Sequence, residues 1–140
     1  MIILNKLGKQ TIKFDTPPCI TDVASIVGPK EAEGPLEKYF DQCLEDEFWG
    51  EKTWEKSESK IIKETVNMAI SKSGISSSDI EYCFAGDLLN QCISSSFGLR
   101  DLGIPFFGIF GACSTFVEGM RTGFLPYRWW CCKLRIMCRL

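Results

Sequence analysis

The 140-residue sequence contains no histidine, the side chain that most often serves as a general base near neutral pH. A catalytic Cys–His pair therefore cannot be assembled from this chain alone. A zinc site is also disfavoured, because the eight cysteines include no Cys-x-x-Cys pair. We expect no metal site and no cofactor, and the scattered cysteines have the placement of small hydrophobic residues in a reducing compartment.

Long apolar segments are missing as well. No run approaches the roughly 20 residues that cross a bilayer, and residues 1–6 lack the features of a secretory signal. The formal net charge of −2 shows no basic excess, so nucleic acid is not an expected partner. Any contact with a membrane is expected to be peripheral.

The residues that are present predict one globular α/β unit. Hydrophobic residues make up 45% of the chain and charged residues 24%, a balance typical of a folded domain. Apolar residues recur at helical spacing over 53–73, and a glycine at 74 stands where a C-cap belongs. Residues 80–86 and 105–110 have strand character, with a short helix over 94–102 between them. This βαβα order predicts a layered sheet with parallel pairs.

Cys113 carries the strongest functional signal. It lies in the segment Gly-Ala-Cys-Ser-Thr at 111–115, directly after the apolar run 105–110. A strand that breaks at small residues and leads into a helix places a side chain at the helix N-terminus, where N–H groups and the helix dipole stabilise a thiolate. The same position suits a bound carboxylate. A nucleophile and an anion pocket are therefore both open interpretations.

Three further residues are candidates for this pocket. Asp87 follows the strand over 80–86 at its carboxyl end, where open α/β sheets bind ligands, although Asp is also a good helix N-cap. Asn90 offers an amide to a ligand carboxylate, with solvation on a helix surface as the alternative. Ser114 offers a hydroxyl, with local bonding at the helix start as the alternative.

Six segments within residues 5–120 resemble the beginning of the stage V sporulation protein AD family of spore-forming bacteria. They are Gly-Lys-Gln-Thr at 8–11, Gly-Pro-Lys-Glu at 28–31, Gly-Pro-Leu at 34–36, Ala-Gly-Asp-Leu-Leu-Asn-Gln at 85–91, Ile-Pro-Phe-Phe at 104–107 and Gly-Ala-Cys-Ser-Thr at 111–115. The resemblance implies the first half of a thiolase-like fold similar to ketoacyl-ACP synthase III. Its sheet is then mixed, with helices packed on it.

The resemblance also implies a function in sporulation. The family binds dipicolinic acid, usually with calcium, for uptake into the developing spore, and lies peripherally on the cytoplasmic side of the spore inner membrane. The implied partners are dipicolinic acid or its calcium chelate, other spore membrane transport proteins of the same operon type, and a second copy of the full-length protein. Asp87, Asn90, Cys113 and Ser114 are the implied ligand-binding residues, with Cys113 at the position of the thiolase nucleophile.

The last twenty residues do not continue this resemblance. Residues 121–140 hold five basic and no acidic residues, and they include Trp-Trp-Cys-Cys at 129–132. Trp has a single codon, TGG, and both Cys codons begin with TG. If the gene is read one base later, the two Trp codons and the Cys codon that follows must therefore encode Gly-Gly. Allowed codons around them can give Asp-Gly-Gly-Val-Ala-Asn-Tyr-Val-Leu-Cys, the continuation of the family. We therefore predict a unit over 1–120 and a frame-shifted, disordered tail over 121–140; a basic aromatic membrane tail is the alternative.

Two other functions stay open at this stage. The first alternative is a thiolase-superfamily acyltransferase with Cys113 as its nucleophile, which the missing histidine disfavours. The second alternative is a nonfunctional fragment, whose unpaired sheet edge and apolar face would favour aggregation.

Overall fold

The computed structural model describes residues 4–14, 17–89, 91–124 and 135–139, and their strands form three small sheets. Strands β1 (Leu4–Leu7) and β2 (Thr11–Phe14) pair antiparallel. Gly8 takes a φ of 65° in the connecting turn, a conformation that favours glycine. The rings of Phe14 and Phe124 meet edge to face at 6.3 Å, so the hairpin packs against the end of the last helix.

A second, two-stranded sheet precedes the longest helix. Strands β3 (Ile26–Val27) and β4 (Gln42–Cys43) pair in parallel. Between them lie helix α1 (Pro29–Ala32) and a 3-10 turn over Glu37–Tyr39. Proline starts α1 because its fixed φ suits the first helical turn, where no N–H is needed.

Helix α2 (Trp54–Ser73) confirms the helix predicted over 53–73. Thr53 is its N-cap and accepts a hydrogen bond from the N–H of Lys56 at 3.4 Å. Gly74 ends the helix with a φ of 65°, the left-handed C-cap that the sequence indicated.

The main sheet is parallel and has the order β6-β5-β7. Its central strand β5 (Tyr82–Gly86) pairs with β6 (Phe106–Gly108) and with β7 (Arg135–Arg139). Helix α3 (Ile93–Leu99) connects β5 to β6, and helix α4 (Thr115–Phe124) follows β6. The βαβα order and the α/β class predicted from the sequence are therefore confirmed.

Both short elements between β5 and α4 are shorter than predicted. Helix α3 ends at Leu99, and the chain tightens into a 3-10 turn over Arg100–Leu102 before Gly103 reverses it with a φ of 67°. Strand β6 ends at Gly108 instead of residue 110, although the N–H of Ile109 still donates to the carbonyl of Ala85 at 2.8 Å. Turn geometry at each end overrides the apolar pattern.

The core lies between α2 and one face of β5. Cys83 and Ala85 point to this face, because alternate strand residues point to the same side of a sheet. The buried cluster consists of Ile62, Val66, Ile80, Cys83, Ala85, Leu99 and Ile104. On the other face, Phe84 stacks on Phe107 of β6 with ring centroids 5.2 Å apart.

Two parts of the tail over 121–140 lie within the described residues, while the division into a unit over 1–120 and a disordered tail stays a prediction. Residues 121–124 complete α4. Residues 135–139 form β7, because β5 offers an unpaired edge to a parallel strand. Residues 125–134 and Leu140 lie outside the described residues, and the frame shift stays a prediction. None of the helices in the described ranges is long and apolar enough to span a bilayer.

Candidate functional site

Asp87 follows β5 directly and is the anchor of the loop that leads into α3. Its side chain is 2% exposed. One carboxylate oxygen accepts the N–H of Cys92 at 3.0 Å, and the other accepts the N–H and the hydroxyl of Ser95, both at 2.8 Å. The carboxylate of Asp87 therefore binds donors at the start of α3, although the N-cap residue itself is Cys92, five positions further on.

The loop held by Asp87 contains two consecutive residues in the left-handed region. Gln91 has a φ of 54° and Cys92 a φ of 71°, although neither is glycine. This conformation strains the backbone of non-glycine residues, so surrounding hydrogen bonds are needed to keep the loop in it. The hydrogen bond from Cys92 to Asp87 supplies one such restraint.

Cys113 lies in a 3-10 turn over Ala112–Ser114, immediately before α4. Its side chain is exposed. Ala112 has a φ of 46°, so the turn is strained at the residue before the cysteine. The strand–turn–helix placement predicted for Cys113 is confirmed.

Local hydrogen bonds hold this turn. The hydroxyl of Ser114 lies 2.7 Å from the carbonyl of Gly111 and also bonds the carboxylate of Glu118. The N–H of Gly111 donates to the hydroxyl of Thr115 at 3.2 Å. A Cβ on Gly111 would lie 2.6 Å from the Ser114 hydroxyl and 2.7 Å from the Glu118 carboxylate, so both of these side chains would have to move to admit it. Ser114 bonds locally at the helix start, the alternative that its sequence position left open.

The Asp87 loop and the Cys113 turn meet at the carboxyl edge of the sheet. The thiol of Cys92 donates to the carbonyl of Ile109 at 3.4 Å. A Cβ on Gly86 would lie only 2.1 Å from that same carbonyl oxygen and 2.7 Å from a methyl carbon of Thr115. Glycine is therefore required at position 86, because the backbone of the second loop packs directly on it.

The carboxylates of Asp87 and Glu118 make this edge of the sheet negatively charged. Burial raises the pKa of the Cys92 thiol, and the nearby Asp87 carboxylate raises it further. Glu118 adds an exposed carboxylate beside the Cys113 turn. Among the described residues, no group of three or more His, Cys, Asp or Glu side chains is arranged to hold a metal ion.

Glu58 of α2 is a buried carboxylate beneath the Asp87 loop. It is 7% exposed, and its Oε1 accepts the N–H of Leu88 at 3.3 Å. Its Oε2 is buried and has no hydrogen-bond partner among the described residues. Such an oxygen costs free energy unless a donor reaches it.

Sequence reasoning identified Asp87, Cys113 and Ser114 but missed four residues that shape this region. Glu58, Cys92 and Ser95 act through bonds that no local pattern displays, since each joins residues 8 to 30 positions apart in the chain. Glu118 alone had a usable signal, because an acidic residue in the first turn of a helix suits the helix dipole. Asn90, the fourth predicted site residue, lies outside the described residues.

Comparisons with known proteins agree on one family. The family model for stage V sporulation protein AD matches residues 8–125. A curated relative from Bacillus subtilis (strain 168), named stage V sporulation protein AD, is 40% identical over 111 residues, which cover 79% of this chain and 33% of the relative. The chain thus spans about a third of the length of that relative.

Proposed function

Since the chain belongs to the stage V sporulation protein AD family, we propose that it carries one wall of a dipicolinic acid site used in sporulation. The observation that carries this proposal is the exposed Cys113 at the turn that opens α4. The proposal includes the cellular setting implied by the family resemblance: the cytoplasmic side of the spore inner membrane, beside other membrane transport proteins of the same operon type.

The chemistry of the turn suits a flat aromatic dicarboxylate. The first turn of a helix presents N–H groups that favour a carboxylate. Phe110 and Phe116, which flank the turn, are 65% and 46% exposed. Their rings can pack against a pyridine ring while the helix start receives a carboxylate. An aromatic acid uses both features, whereas a simple inorganic anion uses only one.

The negative charge of Glu118 favours a ligand that is bound together with calcium. Its carboxylate bonds the hydroxyl of Ser114 in the same turn, so a doubly charged ligand would meet a like charge there. A calcium ion held by the two carboxylates of dipicolinic acid removes most of that repulsion. The ligand in this proposal is therefore the calcium chelate as well as the free acid.

Binding of dipicolinic acid, with and without calcium, tests this proposal. We expect saturating ligand to raise the unfolding temperature, because ligand at 100 times its Kd stabilises the folded state by about 2.7 kcal/mol. Cys113→Ala should weaken binding about tenfold or more in isothermal titration calorimetry. Cys19→Ala, at another exposed cysteine, should leave binding unchanged. Equal affinities of the two variants would contradict a site at Cys113.

An acyltransferase with Cys113 as nucleophile is the second candidate, favoured by the exposure of the side chain. The thiolate would attack the carbonyl of an acyl-CoA, forming a thioester on Cys113 and releasing the CoA thiolate. The absence of histidine from the sequence removes the usual base for this step. Intact-mass spectrometry after incubation with acyl-CoA shows an added acyl group in this case and no change for a binding protein. A chain that neither binds nor reacts is the nonfunctional fragment considered above.

A further inference from the structure

The carboxylate of Glu118 already lies on the turn that opens α4, where the proposed ligand would bind. Glu118 belongs to the first turn of α4, is exposed, and accepts a hydrogen bond from the hydroxyl of Ser114. Both of its carboxylate oxygens would lie 2.7 Å from a Cβ on Gly111, so the group rests directly against the backbone of the turn. A helix start favours negative charge, and Glu118 supplies that charge from within the chain.

No cation balances this charge in the part of the chain that the structure describes. The ion pairs of the described residues all join aspartates to Lys63, Lys72 or Arg100. The other carboxylate of this region, that of Asp87, is 2% exposed and accepts hydrogen bonds from the start of α3. Glu118 is therefore the carboxylate that an incoming ligand meets.

This charge has opposite consequences for two forms of one ligand. A free aromatic dicarboxylate competes with Glu118 for the same helix start and is repelled by it. The one-to-one calcium chelate of dipicolinic acid carries no net charge. Calcium accepts about six to eight oxygen ligands, which is more than one dicarboxylate provides. The open positions on the calcium ion can therefore include the carboxylate of Glu118.

We propose that Glu118 is a specificity-determining residue of this site and makes it select the calcium chelate over the free acid. The position of the carboxylate on the turn carries this proposal, together with the lack of a cationic partner among the described residues. Because the ligand and the turn are those of the proposed function, this selectivity rests on that function. The proposed function admits both forms of the ligand, whereas Glu118 distinguishes between them.

Isothermal titration calorimetry of this chain tests the selectivity, with dipicolinic acid titrated once in excess EGTA and once premixed with calcium chloride. We expect the chelate to bind more tightly than the free acid by about fivefold or more, the order of magnitude for one pair of like charges close together in water. Glu118→Gln should bring the two affinities within about twofold of each other. The amide keeps an acceptor for the Ser114 hydroxyl but has no charge to repel the acid or to bind calcium.

A second ligand measures the repulsion by itself. Benzene-1,3-dicarboxylate has the same two carboxylates without the ring nitrogen that helps dipicolinic acid to hold calcium. In EGTA, Glu118→Gln should bind it about threefold or more tightly than the unchanged chain does. Equal affinities would show that Glu118 does not repel the ligand, and the proposal would be overturned.

Glu55→Gln is the matched control, since Glu55 is also exposed and lies in the first turn of a helix, α2. The preference of this variant for the chelate should equal that of the unchanged chain. A preference that survives in Glu118→Gln overturns the role of Glu118 and leaves the proposed function intact. If neither variant nor the unchanged chain binds either form, the proposed function itself fails, and the selectivity fails with it.

Discussion

At the scale of single residues, hydroxyl groups on adjacent positions of α3 have opposite roles. Ser95 is fully buried and donates its hydroxyl to the carboxylate of Asp87 at 2.8 Å. Ser94 is equally buried, but its hydroxyl has no hydrogen-bond partner in the part of the chain that the structure describes. A bond to a buried carboxylate stabilises the fold, whereas a buried hydroxyl without a bond weakens it.

Substituting each of these serines by alanine should separate the two roles. Ser95→Ala should lower the free energy of unfolding by about 1.5–3 kcal/mol, the range for a hydrogen bond to a charged group. Ser94→Ala should leave it unchanged or raise it by up to about 1 kcal/mol, because alanine also favours the helix. Urea unfolding followed by circular dichroism measures both. If both variants lost a similar free energy of unfolding, the hydroxyl of Ser94 would have a hydrogen-bond partner after all.

At the scale of elements, α2 and α3 approach so closely that glycine is needed between them. A Cβ on Gly98 would lie 2.6 Å from the backbone carbonyl of Ser59 and 3.4 Å from the side chain of Ile62. The hydroxyl of Ser59 also donates to the carbonyl of Ser94 at 3.0 Å. A backbone atom cannot move aside as a flexible side chain can. The separation of α2 and α3 is therefore set by the absence of a side chain at Gly98.

Gly98→Ala should therefore force the two helices apart. We expect the free energy of unfolding to fall by about 1–3 kcal/mol, the usual cost of overpacking, despite the higher helix propensity of alanine. Gly28→Ala is the matched control, since an added Cβ at that position has no atom within 4 Å. Thermal unfolding followed by circular dichroism compares the two variants. A Gly98 variant as stable as the control would mean that the helix pair can readjust.

At the scale of the whole molecule, one charged cluster ties the small β3–β4 sheet to α2. The ammonium of Lys72 lies 2.6 Å from one oxygen of Asp41, and the other oxygen accepts the N–H and the hydroxyl of Ser25. The hydrogen bond from Lys72 is the main reason that the pKa of Asp41 lies below its usual value; Ser25 lowers it further, and partial burial opposes the shift.

The stability of the chain should consequently decrease in acid through Asp41. Because the folded-state pKa is lowered, its contribution is complete above the usual carboxyl pKa of about 3.9 and is lost as the pH falls through the lower value. A partly exposed ion pair of this kind contributes about 0.2–1 kcal/mol. Urea unfolding at a series of pH values measures this decrease in the free energy of unfolding. The decrease should be absent in Asp41→Asn and should persist in Glu33→Gln, which changes an exposed carboxylate. If Asp41→Asn lost as much stability in acid as the unchanged chain, the role assigned to Asp41 would be wrong.

Several elements of this fold have local signals and can be predicted from the order of the residues. The period and caps of α2, the βαβα order and the strand–turn–helix around Cys113 follow from side-chain spacing and glycine placement, which act over one or two turns. The sequence motifs also identified the family. Three other features became visible only in the folded chain: the carboxylate of Asp87 binds the start of α3, Glu58 is buried beneath the loop after β5, and residues 135–139 pair with β5. Those outcomes depend on contacts between segments far apart in the chain, and such contacts leave no periodic trace in the sequence.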